Sequence, residues 1–201
     1  MKKLTLAGLS IYSIKNYVTI EAKIDQLSAI VAAAERRFPD HNGPFEYGTR
    51  LAEEVGELIE VLYEAKDGIK DDVQKDHLVK EQQDVLRVVL GILGIYSQSN
   101  AFPATLDELL DGGVDPKNLI EYIVRVGVEG GELANAVNHA EGMGVKKDKH
   151  GDDAQRRVLE QAKSLAQVVA WTVRYFNVEH ALGEQVAASY RDYRKKGYIE
   201  V

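Results

Sequence analysis

The sequence predicts an all-α fold, and three features carry that expectation. Apolar residues recur three and four apart along most of the chain, the spacing of a helix with one buried face. Proline is rare, at 4 of 201 residues, and Pro39 and Pro116 fall where helical segments stop or start. The two halves also carry similar helix–loop–helix patterns, so the architecture expected is a duplicated helical hairpin forming a four-helix core with flanking helices.

The elements follow in order. Leu4 to Tyr12 reads as an extended stretch. A helix over about Thr19 to Phe38 is stopped by Pro39, and residues 39–44 make a turn rich in Pro, Asp, Asn and Gly. The next helix runs from about Phe45 to Asp67, with Gly68 as its C-terminal stop. Another spans about Asp76 to Ser97. A short helix, Leu106 to Leu110, has Thr105 as its N-cap. Asp115-Pro116 opens a helix to about Ala140, and Gly142 to Gly151 is a loop. A long helix covers about Asp153 to Phe176, and Asn177 caps a last one reaching about Arg194. All of this is one domain over 1–201, with a first repeat at about 44–98 and a second at about 116–177.

Composition narrows the function. The net charge of −7 argues against a surface for a nucleic-acid polymer. With no cysteine there is no disulfide, thiolate metal site or Cys nucleophile. Leu4 to Ile11 is too short for a secretory signal, and no stretch approaches the 18 or so apolar residues of a membrane span. The expectation is a cytoplasmic protein with no membrane partner. The five histidines show no ligand spacing. Neither a phosphate-cradling P-loop nor a G-x-S-x-G element is present.

Two acidic clusters stand out. Glu53-Glu54-Val55-Gly56-Glu57 reads E-E-x-x-E; Glu81-Gln82-Gln83-Asp84 reads E-x-x-D on the following helix. Residues three and four apart share a helix face, so each cluster can aim its carboxylates at one point. Antiparallel packing of the two helices brings four or five carboxylates together. Oxygen-only ligands favour a hard cation such as Mg²⁺, which commonly also binds substrate phosphates.

A blander reading applies to the first cluster alone. Leu51, Val55, Leu58 and Leu62 form an apolar stripe, with Glu53, Glu57, Glu60 and Glu64 opposite, a pattern typical of solvated helix surface. The second helix shifts the balance. Nearly every position from Val85 to Ile95 is apolar, and Glu81 and Asp84 lie in line with Val88, Ile92 and Ile95. The polar exits of that helix are read as Gln83, Arg87, Gly91 and Gly94. Buried carboxylates need cations: a metal, or salt bridges from Lys80 or Arg87. Gly56, costly inside an exposed helix, implies a close helix approach beside the carboxylates.

The segments Leu51 to Glu60 and Glu81 to Leu86 resemble the MazG-like all-α nucleotide pyrophosphohydrolases. That superfamily includes MazG proper, dimeric dUTPases, dCTP pyrophosphatases and phosphoribosyl-ATP pyrophosphohydrolase. The motif likeness covers Arg50 to Val85, and a looser helical likeness covers Phe38 to Tyr198. Tyr190 to Tyr198 also resembles the ending of dimeric dUTPases. The resemblance implies Mg²⁺-dependent cleavage of a nucleoside triphosphate to monophosphate and pyrophosphate, with Mn²⁺ as a substitute ion, in a homodimer. By the motif, Glu54, Glu57, Glu81 and Asp84 would ligate the metal, and Glu53 would orient or deprotonate the attacking water. The alternative is a non-catalytic helical scaffold or regulatory protein that keeps the fold with a weakened site.

Other residues fit around this motif. Arg87, one turn after Asp84, and Arg125, one turn before Glu129, are candidates to meet phosphates. So are Arg191, Arg194 and Lys195, along with Lys75, Lys80 and Lys196. Phe38, His41, Phe45 and Tyr47 are candidates for a base-stacking wall, although aromatics at a helix entrance often simply close a core. Trp171 reads as core or interface. In the second repeat, Gly127 to Leu133 echoes Ala52 to Leu58, but Glu160-Gln161-Ala162-Lys163 puts a cation where the first repeat has Asp84. A charged Lys cannot ligate a metal, so one complete metal site is expected.

Overall fold

The computed structural model describes residues 11–104, 106–110, 116–143 and 153–200. Among the described residues there are seven α-helices: α1 (Ile11–Arg37), α2 (Pro44–Glu64), α3 (Asp72–Ile95), α4 (Leu106–Leu110), α5 (Leu119–Ala140), α6 (Ala154–Tyr175) and α7 (Glu179–Lys195). There is no strand among the described residues. The all-α expectation holds. At the start of the chain, Ile11 and Tyr12 are helical and not extended; Leu4 to Ser10 lie outside the described residues, as do Thr105, Asp115 and positions 144–151 of the expected loop.

Local chemistry sets the helix ends. Gly43 in extended backbone precedes Pro44, whose missing N–H costs nothing in the first turn. The chain leaves α2 through Gly68, at φ +100°, a conformation glycine adopts without strain. Asp71 caps α3, its carboxylate accepting from the Gln74 N–H at 2.8 Å. This starts α3 about one turn earlier than the apolar pattern indicates. Asn118 caps α5 in the same way, accepting from the Glu121 N–H at 3.0 Å, so Pro116 precedes the helix. The expected cap of α7 is corrected: Val178 holds the N-cap position without a side-chain bond. Asn177 instead takes a left-handed conformation, φ +54°, closing the turn after α6.

Two helical hairpins, α2–α3 and α5–α6, form the four-helix core. α2 packs on α5, and α3 on α6. Leu51, Val55, Leu58 and Leu62 are buried along α2, as the stripe predicts, and Trp171 is buried on α6. α1 lies across α3 and α7, outside the core bundle, and the short α4 rests on α6.

Two glycines let the helices approach closely, and neither is Gly56. A β-carbon on Gly130 would come 2.9 Å from Val55 Cγ2, which brings α5 against α2, and one on Gly91 would overlap the ring of Tyr47. A β-carbon on Gly56 would meet nothing within 4 Å. The close approach expected at Gly56 is therefore displaced to positions where a buried side chain from another helix sits over the glycine. For the same reason Gly91 is no polar exit, and Gln83 is buried too, at 3% exposure.

The C-terminal segment is pinned to α1. Gly197, at φ +72°, turns the chain after α7 and sends Tyr198 back beneath Tyr193, ring centroids 5.6 Å apart. The Arg37 guanidinium stacks 4.0 Å from the Tyr198 ring. Ile199 packs against Ile30 and Ala33. α7 itself packs on α1 and α3, which places Tyr193 beside the first acidic helix.

Candidate metal centre

The α2–α3 hairpin delivers the carboxylates. One oxygen from each of Glu54, Glu57 and Glu81 lies within 4.8 Å of the others. Oxygens on one octahedral Mg²⁺ stand about 3.0 Å apart when cis and about 4.2 Å when trans, from bonds of about 2.1 Å, so the trio would draw closer to share one ion. Glu81 is 1% exposed. Its Oε2, like Oε2 of Glu54, is buried with no hydrogen-bond partner. Such atoms are costly unless a cation or proton meets them. The donor set is all oxygen and hard, so the residues present fit Mg²⁺ or Mn²⁺.

The electrostatics agree. Burial first, then the charges of Asp84 and Glu57, push the Glu54 carboxyl up to about 7. Burial also raises Glu81. The Glu57 carboxyl lies against Glu81 closely enough to hydrogen-bond when one of the pair keeps a proton. Like charges that cannot all ionise are the signature of a cluster short of positive charge.

Asp84 sits beside this trio but is held differently. Its Oδ1 accepts from Arg87 Nη1 at 3.0 Å, and its Oδ2 pairs with Lys80 Nζ at 3.1 Å. Lys80 Nζ also meets Glu81 Oε1 at 2.8 Å, and His77 Nε2 lies 3.2 Å from the same oxygen. Desolvation opposes the charge on Lys80, but its bonds to Glu81 and Asp84 outweigh that and raise its pKa. Salt bridges therefore engage part of the cluster, both oxygens of Asp84 and Oε1 of Glu81, and leave Oε2 of Glu54 and Oε2 of Glu81 without a partner.

A pocket of about 280 Å³ opens onto Glu54 and Asp84, walled by Phe38, Tyr47 and Tyr193 with Arg50 and Arg87. Phe38 and Tyr47, two of the four aromatics picked out in the sequence, line it. His41 and Phe45 do not. Tyr47 is 3% exposed, its hydroxyl donating to Glu35 Oε1 at 3.2 Å, so it closes the core and forms the pocket wall at once. Arg50 was missed by the sequence reading. It precedes Glu54 by one helical turn, which puts both on one face of α2, and that spacing was the available signal. Tyr193 had no local signal, because the packing of α7 on α1 and α3 brings it here.

The remaining candidates lie elsewhere. Glu53 is exposed on α2. Arg125 is on α5 and does not line the pocket. Arg194 and Lys195 are exposed at the end of α7. Arg191 borders a second, open groove of about 700 Å³ with Lys75, His77, Lys80 and His180. In the second repeat, Glu132 pairs with Arg157 at 3.1 Å and Glu160 with Arg156 at 2.6 Å. Comparison of the chain with protein-family models, curated proteins and solved structures found no match.

Proposed function

We propose that this protein is a Mg²⁺-dependent pyrophosphohydrolase that cleaves a nucleoside triphosphate, or deoxynucleoside triphosphate, to the monophosphate and pyrophosphate. The observation that carries this reading is the convergence of Glu54, Glu57 and Glu81, of which Glu54 also lines a pocket with aromatic and arginine walls. Carboxylates that call for a divalent ion, an aromatic wall that can stack a base and guanidiniums that can meet phosphate are the three parts of nucleotide recognition.

A divalent ion in that cluster would supply neutralisation of the phosphate chain and help ionise a water. The protein's own groups do the positioning. Arg50 and Arg87 meet phosphate oxygens, and Phe38 and Tyr193 flank the base. Glu53 orients the water and takes its proton. The water oxygen bonds to the α-phosphorus, the bond from that phosphorus to the bridging oxygen breaks, and pyrophosphate leaves. Charge stabilisation and alignment account for most of the rate in such a reaction.

A homodimer belongs to the same reading. The apolar face of α5 supports it, since Ile120, Val124 and Val128 are each more than half exposed at successive turns. No helix among the described residues is long and apolar enough to cross a membrane, in keeping with the cytoplasmic enzyme proposed. The second reading, a non-catalytic helical scaffold, is favoured by the ion pairs of Lys80 and Arg87, which partly neutralise the cluster without a metal.

One experiment separates the two readings. The protein is incubated with a panel of nucleoside triphosphates and Mg²⁺ in ¹⁸O-labelled water. Monophosphate carrying the label, with unlabelled pyrophosphate, is the expected result. Labelled inorganic phosphate means a different hydrolase, and no turnover of any nucleotide favours the scaffold.

A further inference from the structure

The charges around the cluster do not balance at random. When all are ionised, as metal binding requires, Glu54, Glu57, Glu81 and Asp84 bring four negative charges. Lys80 and Arg87 return two positive ones, through contacts of 2.8, 3.1 and 3.0 Å. The two charges left over equal those of one divalent ion. The oxygens divide the same way. Both oxygens of Asp84 and Oε1 of Glu81 are engaged by cationic side chains. The oxygens buried without a donor, Oε2 of Glu54 and Oε2 of Glu81, belong to the trio that converges on a single place.

Lys80 is not an ordinary surface pairing. An exposed i,i+4 pair contributes little and is better with the acid on the N-terminal side. Here the order is reversed, and the stem must fold back to bridge Asp84 and a carboxylate that is 1% exposed. Leaving Glu81 without that ammonium would strand a buried charge.

We propose that Lys80 is a built-in cation standing between Glu81 and Asp84 where a second metal ion would otherwise be needed, so that the centre takes one divalent ion, on Glu54, Glu57 and Glu81. This rests on the metal-centre reading above. It adds the stoichiometry and names the residue that sets it. Arg87 holds the other oxygen of Asp84 and completes the arrangement.

The test is a Mn²⁺ titration of the full chain, followed by calorimetry and electron paramagnetic resonance, for wild type, Lys80→Arg, Lys80→Gln and Lys80→Met. Wild type and Lys80→Arg should bind one magnetically isolated ion per chain. Lys80→Gln and Lys80→Met should bind two, coupled as ions about 3.5–4 Å apart are. Two coupled ions in wild type overturn the proposal and leave the metal centre standing, as do neutral variants that stay at one ion. Absence of binding in all four proteins overturns both.

Acetylation of wild-type lysines read by mass spectrometry needs no variant, and so decides even if the neutral variants fail to fold. With saturating Mn²⁺, Lys80 should stay protected relative to exposed Lys117. A rise to the Lys117 rate would mean that the ion displaces Lys80, which overturns the built-in role.

Discussion

The ring of Tyr47 fills the volume that a β-carbon on Gly91 would occupy, and its hydroxyl is tied to Glu35. This contact locks α3 to the start of α2, at the wall of the candidate nucleotide pocket. Gly91→Ala should therefore destabilise the protein by about 1–3 kcal/mol through overpacking, despite the better helix propensity of Ala. Gly56→Ala and Gly131→Ala, where the added carbon meets nothing, should each stabilise it by about 0.5–1 kcal/mol. Urea midpoints of the three variants check the contrast, and equal shifts in all three would deny the Tyr47 contact.

Metal should stabilise the fold by mass action. Mg²⁺ or Mn²⁺ at about one hundred times its dissociation constant adds roughly 2.7 kcal/mol. Glu81→Gln should remove most of that gain, since Glu81 is the buried member of the trio. Asp84→Asn should keep most of it, because both Asp84 oxygens are already paired. Melting curves with and without metal decide this; the opposite ranking would make Asp84 the principal ligand.

The pH dependence of the metal-free protein has a fixed sign. The Glu54 carboxyl ionises at about 7 in the folded state and near its ordinary value when unfolded. Below about pH 4 both states hold the proton and the group has no effect. Between there and pH 7 the unfolded state releases it first, so folding is progressively disfavoured as pH rises, and the penalty is complete above pH 7. Wild type in chelator should lose stability from pH 5 to pH 8 relative to Glu54→Gln, and saturating Mg²⁺ should reduce the loss. Parallel melting curves for the two proteins across that range would contradict it.

Glu53 is exposed on α2, next in sequence to Glu54, and does not belong to the trio. Glu53→Gln should keep Mn²⁺ affinity while turnover falls by about 10²–10⁴-fold, the range for loss of a general base. Unchanged turnover would remove Glu53 from the reaction and leave Glu54 as the nearest alternative.

In the second repeat, Glu132 is spent on Arg157 and Glu160 on Arg156. Replacing Glu129 and Glu132 together by Gln should leave metal-dependent stabilisation intact. A loss of more than half of it would place part of the ion's shell on α5.

The sequence by itself determined the helices and the acidic cluster. Both are local: a 3.6-residue apolar period fixes a buried face, and spacings of three and four place carboxylates on one side of a helix. Asp71 and Asn118 as caps, and Arg50 one turn from Glu54, follow from the same local rules but were not picked out from the sequence. Tertiary structure decided which glycines meet another helix, because that depends on what packs opposite. The open surroundings of Gly56 and the Tyr47 ring over Gly91 cannot be told apart within one helix. Tertiary structure also brought Tyr193 to the pocket, through the packing of α7 on α1 and α3, far along the chain from α2. And it engaged some carboxylate oxygens in salt bridges while leaving others buried without a partner. Helical spacing brings Lys80 within reach of both Glu81 and Asp84, but only burial of Glu81 makes that ammonium hard to dispense with.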